Sequence, residues 1–324
     1  MAETRRDAIQ PVVTVSARKW RDVLQAAWMF PVIRAMKQTT ILAVTDDDIS
    51  SAAGQVREVL GSKVVRISGA NLKRYYDQTS VEEATVWAER WEHGAKHGKA
   101  SGPSSQAMIA AARTYLALSR VRSHCHADVV AVDCNTLRRL GGSVPLPCLS
   151  HFQMNNEGFT AVCSADLNLA CAQALLTHIS KRPGILAKTA GGDAGAQVTL
   201  SHSACTNRLF GPQSDPSPYV VRPASGGDPA VYVTTQVPRR EQVTLVDLSL
   251  AERKMRVASA ETATTLPQPD KCRTSLVAKT REELETAGGG SQRTCVMSLG
   301  AYSKRAESLA RLLGLQTNDT IDVA

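Results

Sequence analysis

Thr40-Ile-Leu-Ala-Val44 and Lys63-Val-Val-Arg-Ile-Ser68 are the stretches whose reading decides the fold. The first is a short apolar run that stops at Thr45-Asp46-Asp47-Asp48, as a buried strand does where it meets a loop. A helix-compatible stretch and Gly61 separate it from the second run, which gives strand, helix, strand in the order of a βαβ unit. Such a unit requires a parallel sheet, because parallel neighbours need a long crossover between them.

Working outward, the same grammar continues. Ser80 precedes Val81-Glu82-Glu83, a hydroxyl N-cap with Glu three places later, and Trp87 and Trp91 then share a helical face. Met108 to Leu118 reads as an Ala- and Leu-rich helix that leads into the buried strand pattern Asp128-Val-Val-Ala-Val-Asp133-Cys134. Apolar stretches follow at Leu146–Leu149, Phe159–Cys163 and Ile185–Ala187, with a helix expected from about Leu167 to Ile179 and Pro183-Gly184 ending it. After about Val198 the helices give way to β-rich runs such as Ala230–Val237 and Gln242–Leu248, and an amphipathic helix is expected at Lys304–Leu313. The fold class expected is α/β: a Rossmann-like parallel-sheet domain over residues 1–200, followed by a smaller, mostly β, barrel-like domain with a terminal helix over residues 201–324. Lys96–Ser105 and Phe210–Pro218 read as linkers or long loops.

Composition narrows the function classes. With 43% hydrophobic and 21% charged residues, the chain has the make-up of a folded globular protein. The net charge of +8 lies in the first part, where residues 1–209 hold 24 Lys/Arg against 17 Asp/Glu, while residues 210–324 hold 14 against 13. That excess is spread thinly, with no basic run and only 4% aromatic residues, so an anionic small molecule is expected as partner rather than nucleic acid. No apolar leader opens the chain and no run of apolar residues is long enough to cross a bilayer, so a cytoplasmic protein without a membrane partner is expected. The eight cysteines form no CxxC pair, and several lie in apolar runs, which fits free buried thiols better than disulfides or zinc.

No GxGxxG after a strand, GxxxxGK[ST], GxSxG or HExxH occurs, which removes the mechanical parts of dinucleotide, P-loop, hydrolase and zincin sites. Gly191-Gly192-Asp193-Ala194-Gly195 can hold a phosphate on backbone amides or serve as a plain loop. His93 and His97 have the spacing of two ligands on a helix but sit among glycines at a helix end, where a solvated surface pair is the better reading. Asp133-Cys134-Asn135 stands where a strand of a parallel sheet ends; there Asp133 either faces a ligand or caps the next turn.

Ordered fragments add a resemblance. Gly61-Ser-Lys-Val-Val-Arg-Ile-Ser68, Ala127-Asp-Val-Val-Ala-Val-Asp-Cys134, Val144-Pro-Leu-Pro-Cys148, Val162-Cys-Ser-Ala-Asp166, Leu200-Ser-His202, Cys272-Arg-Thr274 and Ala310 to Leu315 resemble, in order and spacing, the second and third domains of the L-fucose/L-arabinose isomerase superfamily, from about Val12 onward and without the family's first domain. The resemblance implies a divalent metal, usually manganese, that holds vicinal sugar oxygens while carboxylates shuttle protons through an enediol. It also implies a homo-oligomer, since the family builds its sites across subunit contacts. The family places Glu where this chain has Ser164 and an acidic residue where it has Lys188, and the late turn that often carries a His reads Gly290-Ser-Gln-Arg-Thr294. Of the family's ligand positions only His202 remains, with Asp166 beside the lost one.

These residues lead to an expectation of chemistry without a bound metal, manganese standing as the family-based alternative. Lys188, as electrostatic anchor or Schiff-base amine, and His202 with Asp166, as proton-exchanging pair, are the expected catalytic residues. Asp133, Asn135, Ser164, Asp193 and Arg293 are the expected substrate-binding residues. The expected reaction is isomerisation, or a related enolisation or lyase step, on a sugar-like or polyhydroxylated small molecule, anions included. The alternative is a non-catalytic sugar-binding or regulatory protein that keeps the cleft.

Overall fold

The computed structural model describes residues 20, 23, 27–96, 102–191, 197–202, 204–224, 230–266, 274–280 and 293–318. The two deciding stretches form β1 (Thr40–Val44) and β2 (Lys63–Ile67), paired in parallel register, and β3 (Val129–Val132) and β4 (Thr160–Val162) complete a parallel sheet of order β2-β1-β3-β4.

Strand geometry sends alternate side chains to opposite faces, and the two faces find different helices. Leu42, Val44, Val130 and Val132 pack against α3 (Gly69–Asp77), α4 (Val81–Gly94), α5 (Ser105–His124) and α7 (Cys148–Asn156), with α6 (Cys134–Arg138) capping that end of the sheet. Ile41, Ala43, Val129 and Ala131 pack against α1 (Met29–Gln38), α2 (Ser50–Leu60) and α8 (Leu167–Ser180). Gly61 ends α2 at φ +72°, a left-handed position where a Cβ would also meet Lys37 Cγ at 3.0 Å, so glycine is the residue that fits.

The expected cap at Ser80 is present: its hydroxyl accepts from the Glu83 amide at 3.1 Å. Glu83 does not return the bond; its carboxylate pairs with Arg120 at 2.7 Å and ties α4 to α5. Trp87 and Trp91 do share a face, 5.9 Å apart, and both meet Tyr115 of α5. Trp91 is buried, an anchor of about 2–3 kcal/mol, and its indole N–H donates to Gln153 on α7.

The second sheet is a closed six-stranded antiparallel barrel of β5 (Ile185–Gly191), β6 (Gln197–His202), β9 (Gln242–Ser249), β10 (Lys254–Thr265), β11 (Thr274–Thr280) and β12 (Thr294–Leu299). Its order is β11-β6-β5-β12-β9-β10, and the long β10 closes it by pairing with β9 along one edge and, through a bulge at Thr262/Thr264, with β11 along the other. Ile185, Ala187, Leu200, Leu245, Leu276 and Met297 fill the interior. The outer face, with Leu186, Val246 and Val296, packs on α8, which is buried nearly all round because it lies between sheet and barrel. The terminal helix α9 (Ser303–Leu312) covers the same core and leads to β13 (Gln316–Asn318), a parallel addition to β10. A separate hairpin, β7 (Tyr219–Pro223) with β8 (Val231–Thr235), lies against α4, α5 and α7.

The run Ile185–Ala187, read with the α/β domain, begins β5 of the barrel, and the division expected at residue 200 falls inside β6. A short apolar run buried on both faces looks the same in either kind of sheet, so the pattern alone does not assign it. The second half of the apolar stretch Leu146–Leu149 opens α7 after Pro147.

Candidate functional site

The carboxyl ends of β3 and β4 face the outside of the barrel across a cleft of about 390 Å³. One wall comes from the α/β side: Asp133, Cys134, Asn135 and Arg138 where β3 turns into α6, Leu146 and Cys148 at the start of α7, Cys163 and Ser164 between β4 and α8, and Leu169 in the first turn of α8. The other wall is barrel: Leu186 and Lys188 of β5, Ser201 and His202 of β6, and Thr294 of β12, with Tyr232 of the hairpin closing one side. Parallel sheets commonly open their ligand crevices at this edge, where strands end and helix N-termini converge.

The barrel wall follows from register. Lys188 stands opposite Ser201 on β6 and Thr294 on β12, so these side chains form a row across the outer face. Ile185 and Ala187 turn inward to the barrel core, which leaves Leu186 and Lys188 facing out; Leu186 is covered by α8 and Lys188 is exposed at the cleft.

The structure therefore brings together Asp133, Asn135, Ser164, Lys188 and His202. It does not bring the rest. Asp166 is exposed and outside the cleft lining; its carboxylate caps α8, accepting from the Asn168 amide at 2.8 Å, while its own N–H donates to Ser164 Oγ at 3.1 Å. Arg293 is also absent from the lining, and its carbonyl accepts from the amide and hydroxyl of Thr189. Asp193, like His97, lies outside the described residues.

Asp133 resolves its ambiguity toward the cap. Its carboxylate accepts from the Asn135 and Thr136 amides at 3.0 and 2.8 Å and from the Thr136 hydroxyl at 2.7 Å, with Arg139 3.6 Å away. Burial works to raise its pKa, but those hydrogen bonds and the guanidinium outweigh it, so the carboxyl titrates below its ordinary range. The lining thus carries two cations, Lys188 and Arg138, against one carboxylate whose lone pairs are largely engaged. Its field favours an anion.

His202 accepts from the Ala204 amide through Nδ1 at 3.2 Å, which leaves the proton of the neutral ring on Nε2. Behind it lies His151 of α7, fully buried, with neither ring nitrogen hydrogen-bonded among the described residues. Burial first, and the nearby His202 second, push the His151 pKa down to about 3. Cys134 and Cys163 meet with sulfurs 3.1 Å apart; that contact and burial push the Cys134 thiol well up. Sequence reading named neither His151, Tyr232 and Thr294, which reach the site through long-range packing, nor Arg138 and Ser201, which lie one turn after Asn135 on α6 and next to His202 on β6.

Manganese, which the isomerase resemblance implies, prefers hard oxygen ligands. The cleft offers one carboxylate, already committed to a cap, an imidazole, three thiols (Cys134, Cys148 and Cys163) and only neutral oxygens from Asn135, Ser164, Ser201, Tyr232 and Thr294, beside an ammonium and a guanidinium. That donor set does not fit manganese. Compared with known proteins, the chain matches no family model, and no curated protein matches its sequence.

Proposed function

We propose that the protein is a metal-independent enzyme that binds a small polyhydroxylated anion in this cleft and catalyses an isomerisation or related enolisation. The observation that carries the reading is the convergence of Lys188 and His202, from the barrel, with Ser164, Asn135 and Arg138, from the strand ends, on one cleft. In this reading Lys188 stabilises the enolate oxygen as charge develops on it, and Arg138 and Asn135 hold the anionic and hydroxyl groups. His202, with its proton on Nε2, acts as general acid and protonates the developing enediolate oxygen, while the carbon-bound proton passes to solvent water. The α/β part is Rossmann-like in this reading, and the protein acts as a cytoplasmic homo-oligomer, which light scattering on the purified protein tests.

A second reading, ligand binding without turnover, has a specific observation in its favour. Asp133 and Asp166, the carboxylates nearest the expected chemistry, both serve as helix caps, which removes them as general bases. One experiment separates the two. A panel of aldoses, ketoses, sugar acids and sugar phosphates is screened by thermal shift, and any binder is incubated in D2O and followed by proton NMR. Enolisation predicts loss of the proton signal next to the carbonyl carbon. Binding without exchange selects the second reading, and no binding across the panel refutes both.

A further inference from the structure

We propose that Cys134 and Cys163 are a redox-active pair that closes to a disulfide across the cleft floor when a peroxide reaches it. Their sulfurs are 3.1 Å apart, and a disulfide needs about 2.05 Å, so a rotation of one or both side chains suffices. The placement is built by the fold. Ala131 pairs with Val162 in the register of β3 and β4, so the chains leave the sheet side by side, and Cys134 and Cys163 meet just past the strand ends. Both are partly exposed, and both line the open cleft, whereas Cys171, Cys205 and Cys295 are buried in the cores.

The chemistry balances with peroxide as the oxidant. With Cys134 holding its proton toward its neighbour, the sulfur of Cys163 attacks a peroxide oxygen. The O–O bond breaks, Cys163 becomes a sulfenic acid and one water leaves. The Cys134 sulfur then attacks the sulfenic sulfur, the S–O bond breaks, and a second water leaves with the Cys134 proton. The two thiols together lose two electrons and the peroxide gains them.

The test uses reduced full-length protein treated with a small excess of hydrogen peroxide, then alkylated and analysed by intact mass and peptide mapping. We expect two of the eight thiols to become protected. A mass lower by about 2 Da before alkylation, a Cys134–Cys163 linked peptide and full reversal by dithiothreitol complete the expected result. Cys134→Ser and Cys163→Ser should each abolish the linkage, while Cys148→Ser, checked for folding by circular dichroism, should keep it. Eight free thiols after treatment, a linkage through Cys148, or only irreversible sulfinic products at these positions would each overturn the proposal. None of these readouts depends on which ligand the cleft takes.

Discussion

His151→Leu should make the protein resistant to acid, by an amount the structure sets. A free histidine titrates near 6.5, and in the folded protein burial and His202 hold His151 near 3. Between those values the unfolded chain carries one more proton than the folded one, so stability is fully present above about pH 6.5 and drains as pH falls toward 3. The full slope is about 1.4 kcal/mol per unit, and because the unfolded ring is only half protonated at pH 6.5, moving from pH 6.5 to 4.5 removes roughly 2 kcal/mol through this side chain alone. Leucine carries no proton and abolishes that slope. It also removes two buried ring nitrogens without partners among the described residues, each costing about 1–3 kcal/mol, so the variant should not be weaker at pH 8 despite its different shape. Urea unfolding midpoints of both proteins at pH 8, 6.5, 5.5 and 4.5 measure the difference curve. Curves that stay parallel over this range would show that His151 reaches solvent or a partner when protonated, and the placement argued for α7 would be wrong.

Lys188→Met should fold with a melting temperature within about 2 °C of wild type, since the side chain is exposed on the outer barrel face, yet weaken binding of an anionic ligand by at least about tenfold; calorimetric titration checks both. Asp133→Ala should cost about 1–2 kcal/mol by loss of the α6 cap, whereas Asp133→Asn, an equally good cap, should cost under about 1 kcal/mol. If Asp133→Ala left stability intact and abolished ligand binding, the carboxylate would be a ligand group instead. Asp166→Ala should cost about 1 kcal/mol in urea unfolding while leaving ligand affinity unchanged within about twofold, because the carboxylate caps α8 outside the cleft.

What the sequence made legible was local or periodic. The βαβ unit of Thr40–Ser68 announces its parallel sheet because a buried strand, a helix and a second strand can close only one way. Ser80 announces a helix start, and the amide it accepts from belongs to the predicted residue, Glu83. The destination of the Glu83 side chain, Arg120, lies 37 residues on and depends on how α4 and α5 pack, which no capping rule contains. Ile185–Ala187 was legible as a strand but not as barrel, because its burial on both faces erases the alternation that marks an antiparallel strand. The cleft shows the same split. Asp133 and Asn135 could be named because strand ends are visible as the last polar residues after apolar runs, whereas Ser164, Lys188 and His202 were named as positions that the isomerase resemblance implies. Asp166 falls outside the cleft because its offset from Ser164 puts it at the N-cap of α8, where a short carboxylate satisfies the Asn168 amide instead of facing a ligand.

That rule explains the charge of the cleft as well. At the carboxyl edge of a parallel sheet each strand hands over to a helix, and each helix start needs an acceptor for its free amides. Asp133 meets that need after β3 and Asp166 after β4. Carboxylates that look catalytic in sequence are thereby drawn into the scaffold, and what remains facing the space is cationic or neutral: Arg138, Lys188, Ser164, Asn135 and His202. Helix N-termini add to the same sign, each worth about 0.3–1 kcal/mol to a nearby negative charge. A cation in this cleft would need to take Asp133 from its cap, at about 1 kcal/mol or more, and then sit beside the Lys188 ammonium. An anion meets neither cost, and that difference is the physical ground for proposing an anionic ligand.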